Sequence, residues 1–398
     1  MKCKLLSITV ALAMLLPLTG CWDRRELNEL AISLALAIDR IDDGYRVTVQ
    51  VVQPAEVASQ KGGEQTTPVT VYRSEGVTLF EAIRKMTRFS PRKVYAAHLR
   101  VAVFGEAIAR EGIGDALDLL SRDYEFRTDF FLLVCKGMTG ARALDVLTPL
   151  EKIPANKLFN SIQTSSKVWA PVVTVTLDQF LENIEGDGHN PVLSGIRVVG
   201  DAAIGDSKDN LNHVRPPAQL RNAGLAVFRK DRLVGWLNVT ESKGYSYMTN
   251  KVKSTVGHIP CPDGGIFGVE IIDSKARLKG GVREGRAILA VALSVEANIG
   301  EVQCRIDLTR TESIRELERE AEQTITAILE KSINVAQNKY KSDIFGFGAA
   351  VHRSSPSAWK SMKDDWDNLF ADTDVDVQVK VKIKRTGTIG NSYKERRE

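Results

Sequence analysis

Apolar and polar positions fall into segments of two different periods that alternate along the chain. In residues 45–53, Val47, Val49 and Val51 stand between Arg46, Thr48 and Gln50, a two-residue period that predicts a strand with one buried face. With the apolar run 31–39 and the intervening Asp42-Asp43-Gly44 it predicts a hairpin. A polar, glycine-bearing loop follows over 54–67, then a strand over 69–73, and then Thr78-Leu79-Phe80-Glu81, whose hydroxyl and carboxylate are spaced to cap a helix start. Runs 99–104 and 128–135 predict strands, and 106–122, 139–147, 155–167 and 177–184 predict helices, with a further apolar stretch at 192–199. Strands and helices in turn imply sheets flanked by helices.

Residues 200–222 turn polar around Pro216-Pro217, which places the main boundary there. Beyond it, 224–228 and 233–237 form a compact hairpin about Lys230-Asp231, and 266–272 and 287–297 add strands. Ser313-x-x-Glu316 opens a helical period of about thirty residues through Ile325 and Ile328 to Tyr340. The chain closes on a strict alternation, Val375, Val377, Val379, Val381 and Ile383 against Asp374, Asp376, Gln378, Lys380, Lys382 and Lys384, which predicts a half-buried antiparallel strand. The expected fold is therefore α/β or α+β, with mixed or antiparallel sheets.

The first residues have another character. Lys2 and Lys4 precede an apolar stretch over 5–18, and Leu18-Thr19-Gly20-Cys21 ends it. The stretch is shorter than the roughly 20 residues a spanning helix needs, and its cations lie only on the amino-terminal side, as in a secretory signal segment. Leu-Thr-Gly-Cys has the form of a lipobox, so residues 1–20 are expected to be removed and Cys21 to carry S-diacylglyceryl and N-acyl groups. Two or three acyl chains hold a protein at a bilayer, each buried methylene contributing about 0.8 kcal/mol.

Cleavage takes the formal charge from +4 to +2 and leaves 378 residues, enough for two or three cores. A chain so nearly balanced gives no argument for nucleic acid. Cys135, Cys261 and Cys304 then remain, an odd number that allows at most one internal disulfide; Cys135 ends an apolar run and reads as a buried thiol, and Cys261, in a turn-rich Pro-Cys-Pro-Asp-Gly-Gly, reads as exposed. Their pairing is open at this stage.

Catalytic patterns are missing. His98, His189, His213, His258 and His352 stand singly, without zinc-ligand spacing. Asp372, Asp374 and Asp376 mimic the start of a calcium loop, but Val377 and Ile383 occupy the glycine and glutamate positions. Gly112-Ile113-Gly114 lacks a third glycine, and no nucleophile elbow occurs. Trp359 and Trp366, seven apart on an expected helix, read as core anchors against the last strand rather than a stacking platform. No catalytic residue, metal site or cofactor is expected, and ligand-binding residues are unassigned.

The segment Cys21-Trp22-Asp23-Arg24-Arg25-Glu26-Leu27 resembles the start of mature Ger(x)C proteins, the lipoprotein C subunits of spore germinant receptors. The resemblance continues at Gly224–Phe228, Leu233–Leu237 and Asp343-Ile344-Phe345-Gly346-Phe347-Gly348, and closes with Trp359, Trp366 and the final strand. It implies a non-enzymatic subunit on the outer surface of the spore inner membrane, beside an A subunit and a multi-spanning B subunit, in the sensing of nutrients. It also implies three α/β domains, divided as 21–200, a linker 201–222, 223–298 and 299–398. A solute-binding lipoprotein of a transporter, with a ligand cleft between two lobes, is the competing expectation, and a cell-wall or lipid hydrolase a weaker one.

Overall fold

The structure, a computed structural model, describes residues 27–54, 57, 67–261 and 264–387. The expected signal segment, lipobox and Cys21 lie outside the described residues, as does most of the polar loop 54–67.

Two sheets carry the fold. The first has nine strands: β1 (Leu30–Ile41), β2 (Gly44–Val52), β3 (Val69–Gly76), β4 (Lys93–Tyr95), β5 (Val101–Phe104), β6 (Phe131–Cys135), β7 (Val192–Gly200), β8 (Ala218–Arg229) and β9 (Arg232–Leu237). Their order is β3-β2-β1-β5-β6-β7-β8-β9, with β4 beside β1. The β1, β5, β6 and β7 core is parallel, and hairpins extend it at both edges. Helices cover both faces, as a parallel sheet requires. On one side lie α1 (Leu79–Lys85), α2 (Glu106–Glu111), α3 (Gly114–Arg122) and α6 (Leu177–Glu185); on the other, α4 (Gly140–Leu144) and α5 (Pro154–Val168).

Local signals explain several boundaries. Thr78 accepts from the Glu81 amide at 3.1 Å while Glu81 accepts from Val77 N at 2.9 Å, fixing the start of α1. The single helix expected over 106–122 is two, because Gly112 adopts φ 135° and Asp231, from the β8–β9 turn, caps the second through Gly114 N at 3.1 Å. The hairpin of β1 and β2 forms as expected, but not with one buried face: Thr48 and Gln50 are fully buried beneath α4 and α5. Gln50 lies there satisfied, donating to Leu144 O at 2.8 Å and accepting from Ala155 N at 3.0 Å.

The stretch 201–222 is more ordered than a linker. It holds a 3-10 turn at Lys208–Leu211 and ends inside β8, whose Ala218 and Leu220 are buried. Asn210 pins it, donating to Leu147 O and Ala218 O and accepting from Ala218 N.

The second sheet runs β10 (Thr255–Pro260), β11 (Ile266–Arg283), β12 (Arg286–Val302) and β13 (Val375–Arg385). The division expected near Asn298 falls inside β12, and residues on both sides of it share this sheet. The last strand is half-buried as its alternation predicts, but it pairs parallel with β12, not antiparallel. The intervening α8 (Thr311–Asn334), extended by a π-helical turn Val335–Tyr340, carries the chain back across the sheet, so both strands run the same way. Its helix begins after Arg310, two residues before the Ser313 that the spacing marks. Glu322 and Glu318 of α8 accept from Val381 N at 3.1 Å and Ile383 N at 2.9 Å, occupying edge amides that β12 does not.

Cys261 is buried, contrary to its expected exposure, because it forms a disulfide with Cys304 that ties the end of β10 to the segment after β12. Cys135 is a buried free thiol, as read, and burial pushes its pKa well up, away from reactivity.

Candidate functional site at the junction of the two sheets

The most densely bonded polar region among the described residues lies where the sheets meet. The π-helical turn ends at Lys341, in the left-handed region at φ 45°, and the chain enters Ser342-Asp343-Ile344-Phe345-Gly346-Phe347-Gly348. Asp343 is fully buried. Its carboxylate accepts from Phe345 N at 3.1 Å, Gly346 N at 2.9 Å, Gly348 N at 2.7 Å and the Trp366 indole at 2.9 Å. Four donors leave no lone pair aimed at a substrate, so this carboxylate is a clamp.

The loop fastens to the first sheet from both ends. Ser342 Oγ donates to Phe228 O at 2.8 Å, Asn190 N to Asp343 O at 2.7 Å, and His189 Nε2 to Ile344 O at 3.0 Å. Asn190 Nδ2 reaches Asp367 at 2.9 Å, while Arg229 donates to Tyr340 O at 2.5 Å. The Tyr340 hydroxyl in turn bridges Trp236, donating to its carbonyl at 2.7 Å and accepting from its amide at 3.1 Å. Burial holds the His189 imidazole below its usual range, against the pull of Asp343 and Ile344 O, and raises the Asp367 carboxyl despite Arg229.

Glycines set the approach. Gly188 has φ 70°, and a Cβ there would stand 2.6 Å from the Gly348 backbone; a Cβ on Gly348 would meet the Trp366 indole nitrogen at 2.5 Å. Trp359 and Trp366 do come together, their rings 5.2 Å apart, and both are core residues. They lie on two helices, α10 (Pro356–Met362) and α11 (Trp366–Ala371), separated by a 3-10 turn, and their indoles bond Asp187 and Asp343 rather than the last strand. Between them and the sheet sits α9 (Phe347–Ser354), where His352 stacks on Trp359.

Beside the clamp a recess of about 520 Å³ is lined by Glu182, His189, Tyr245, Met248, Lys251 and Phe345, among others. The remaining residues singled out in the sequence stay apart. His98, on the first sheet's loops, packs edge-on to Tyr95; Asp376 is exposed on β13, where it accepts from Gln378. No group of metal-ligating side chains occurs among the described residues. Sequence reasoning missed the hub at Asp343, although a buried acid followed by Gly346 and Gly348 is the composition of a carboxylate gathering backbone amides. It also missed α7 (Val239–Met248), which packs between α8 and the sheets and begins with a legible signal, the reciprocal capping of Asn238 and Glu241.

Comparisons with known proteins cover both halves. Residues 23–198 match the family described as spore germination protein N-terminal domain, and 223–387 the family described as spore germination B3/GerAC like, C-terminal. Spore germination protein KC of Bacillus subtilis (strain 168) is 33% identical over 99% of this chain and 98% of its own length. Spore germination protein B3 of the same organism is 25% identical over 96% of this chain and 98% of its own. The crystal structure of the GerBC protein superposes with a TM-score of 0.55 and 19% identity, covering 87% of this chain and 96% of that one, a likeness of fold.

Proposed function

The chain belongs to the Ger(x)C family of spore germination proteins, and on that premise we propose that it is the lipid-anchored, non-enzymatic C subunit of a nutrient germinant receptor. The observation that carries this reading is the 33% identity to a spore germination protein across essentially the full length of both chains. In this role Cys21 holds the acyl groups, the body lies on the extracytoplasmic face of the spore inner membrane, and an A subunit and a multi-spanning B subunit are its partners. Among the described residues no helix is long and apolar enough to cross a membrane, which agrees with attachment through lipid. The buried polar groups of the junction serve packing, consistent with a subunit that transmits or supports a response rather than turning over a substrate. The relatives named above are spore germination proteins, and nothing among them supports the transporter-lipoprotein alternative.

The test is expression of wild type and Cys21→Ala in a spore-forming host with the presumed A and B subunits. Expected are membrane partition and co-purification of both subunits with the wild type, and release of the variant from the membrane with a lost or blunted nutrient response. Normal lipidation with no co-purifying partner and unchanged germination would overturn the reading.

A further inference from the structure

The lipidated residue would stand six positions before Leu27, a span of at most about 20 Å for an extended chain. One end of the first sheet, where β1 begins, is therefore confined near the bilayer, and it has a distinct chemistry. Leu30, Ala31 and Ile32 pair in parallel with Lys93, Val94 and Tyr95, which sets Ser90, Pro91 and Arg92 beside the base of β1, while Arg88 and Phe89 continue onto an adjoining recess that they line with Arg73 and Glu75. A recess of about 590 Å³ is lined jointly by Leu30, Ile32, Tyr72, Ser90, Pro91 and Arg92.

Phe89 is 62% exposed in that segment. Arg88 and Arg92 flank it, both exposed and neither with an ion-pair partner among the described residues, whereas neighbouring Lys93 is paired with Glu125. The loop is held in shape: the buried Ser90 donates through Oγ to Arg92 O at 2.7 Å and accepts from Arg92 N at 3.3 Å. The surrounding stretch 82–105 contains six lysines and arginines and no carboxylate, in a chain that is otherwise close to neutral.

We propose that segment 88–92 is a second membrane contact, with Phe89 seated at the lipid interface and Arg88 and Arg92 on anionic phospholipid phosphates. An aromatic ring between cations is the composition of an interfacial anchor, and each cation near an anionic surface strengthens attachment about fivefold. The short tether keeps the patch at high local concentration over the bilayer, so a weak contact is populated. This contact orients the body: the end of the first sheet that carries β4 and the start of β1 faces the lipid. The proposal rests on the lipid anchor of the preceding reading.

The experiment uses the full lipidated chain reconstituted in vesicles of phosphatidylcholine alone or mixed with phosphatidylglycerol. A polarity-sensitive fluorophore is placed at Phe89→Cys, with Glu284→Cys in the β11–β12 turn as control; Cys135 is buried and Cys261 is paired with Cys304, so the new thiol is labelled selectively. Expected are a blue shift and brominated-lipid quenching at position 89 only, in the anionic vesicles. In 1 M salt, where screening acts within about 3 Å, the docked-to-free ratio falls sharply, and Arg88→Ala with Arg92→Ala lowers it about thirtyfold. Equal exposure of both labels on a chain that still floats with vesicles would overturn the contact and leave the anchor intact. Failure of the wild type to float would remove the anchor and the contact together. Protection of position 89 only after the A and B subunits are added would assign the patch to a protein partner and overturn the lipid assignment.

Discussion

In the nine-stranded sheet the parallel strands are covered on both faces, whereas the four-stranded sheet packs one face on helices and turns the other to water. Val101–Phe104 and Phe131–Cys135 are buried at every position, while β13 alternates exposed side chains with half-buried ones, and with the buried Val381 and Ile383 toward its end. The contrast teaches what a polar residue in a strand means. On β13, Gln378 faces solvent and bonds its neighbour Asp376; on β2, Gln50 is fully buried and spends both ends of its amide on helix backbone. The two sit in similar two-residue patterns, and only the partner distinguishes them.

The junction between the sheets offers the largest effect. Asp343→Ala strands three backbone amides and an indole N–H in the interior, at an expected cost of about 3–5 kcal/mol, since a lost buried charged partner exceeds an ordinary hydrogen bond. Hydrogen exchange is the sharper readout: protection should fall first around α9–α11 and the second sheet, with β5 and β6 retained. Uniform loss across both sheets would mean that they do not unfold as separable units.

Next comes the matched pair of glutamines. Gln50→Ala is expected to lower stability by about 1–3 kcal/mol, through Leu144 O and Ala155 N left unpaired, and Gln378→Ala to change it by less than about 0.5 kcal/mol. Urea melts of the two variants test the comparison directly, and equal effects would break it.

The smallest effect is a pH slope. Burial lowers the folded-state pKa of His189, so the neutral ring's contribution is present above the unfolded value of about 6.5 and is lost as pH falls toward the folded value. One such group adds a slope of at most about 1.4 kcal/mol per pH unit. His189→Gln, which keeps a donor for Ile344 O, should flatten stability below pH about 6.5 relative to wild type; an unchanged slope would assign the titration to other groups.

Much of the fold was legible because local chemistry decided it. The Thr78 and Glu81 cap, the Lys230-Asp231 hairpin and the final alternation each rest on residues close in sequence. The junction was not legible, because Asp343 and Ile344 meet Asn190 and His189 across more than a hundred residues, and no period records such a meeting. The Cys261–Cys304 pairing was hidden for the same reason. Strand direction failed at β13 because alternation reports faces and is silent on which way the chain returns. The anchor at Cys21 was the sharpest sequence signal, and it lies outside the described residues.

The placement of β13 also has a consequence for the order in which the molecule is made. As the final described strand it is the fourth member of the second sheet, and Glu318 and Glu322 wait on α8 for its amides. A chain emerging from its amino terminus can complete the first sheet while β12 still presents an unpaired edge. That edge closes only when residues 375–385 arrive, so a chain that has not yet reached them, or is cut before them, is left with a sticky strand where the complete sheet has β13 laid across it.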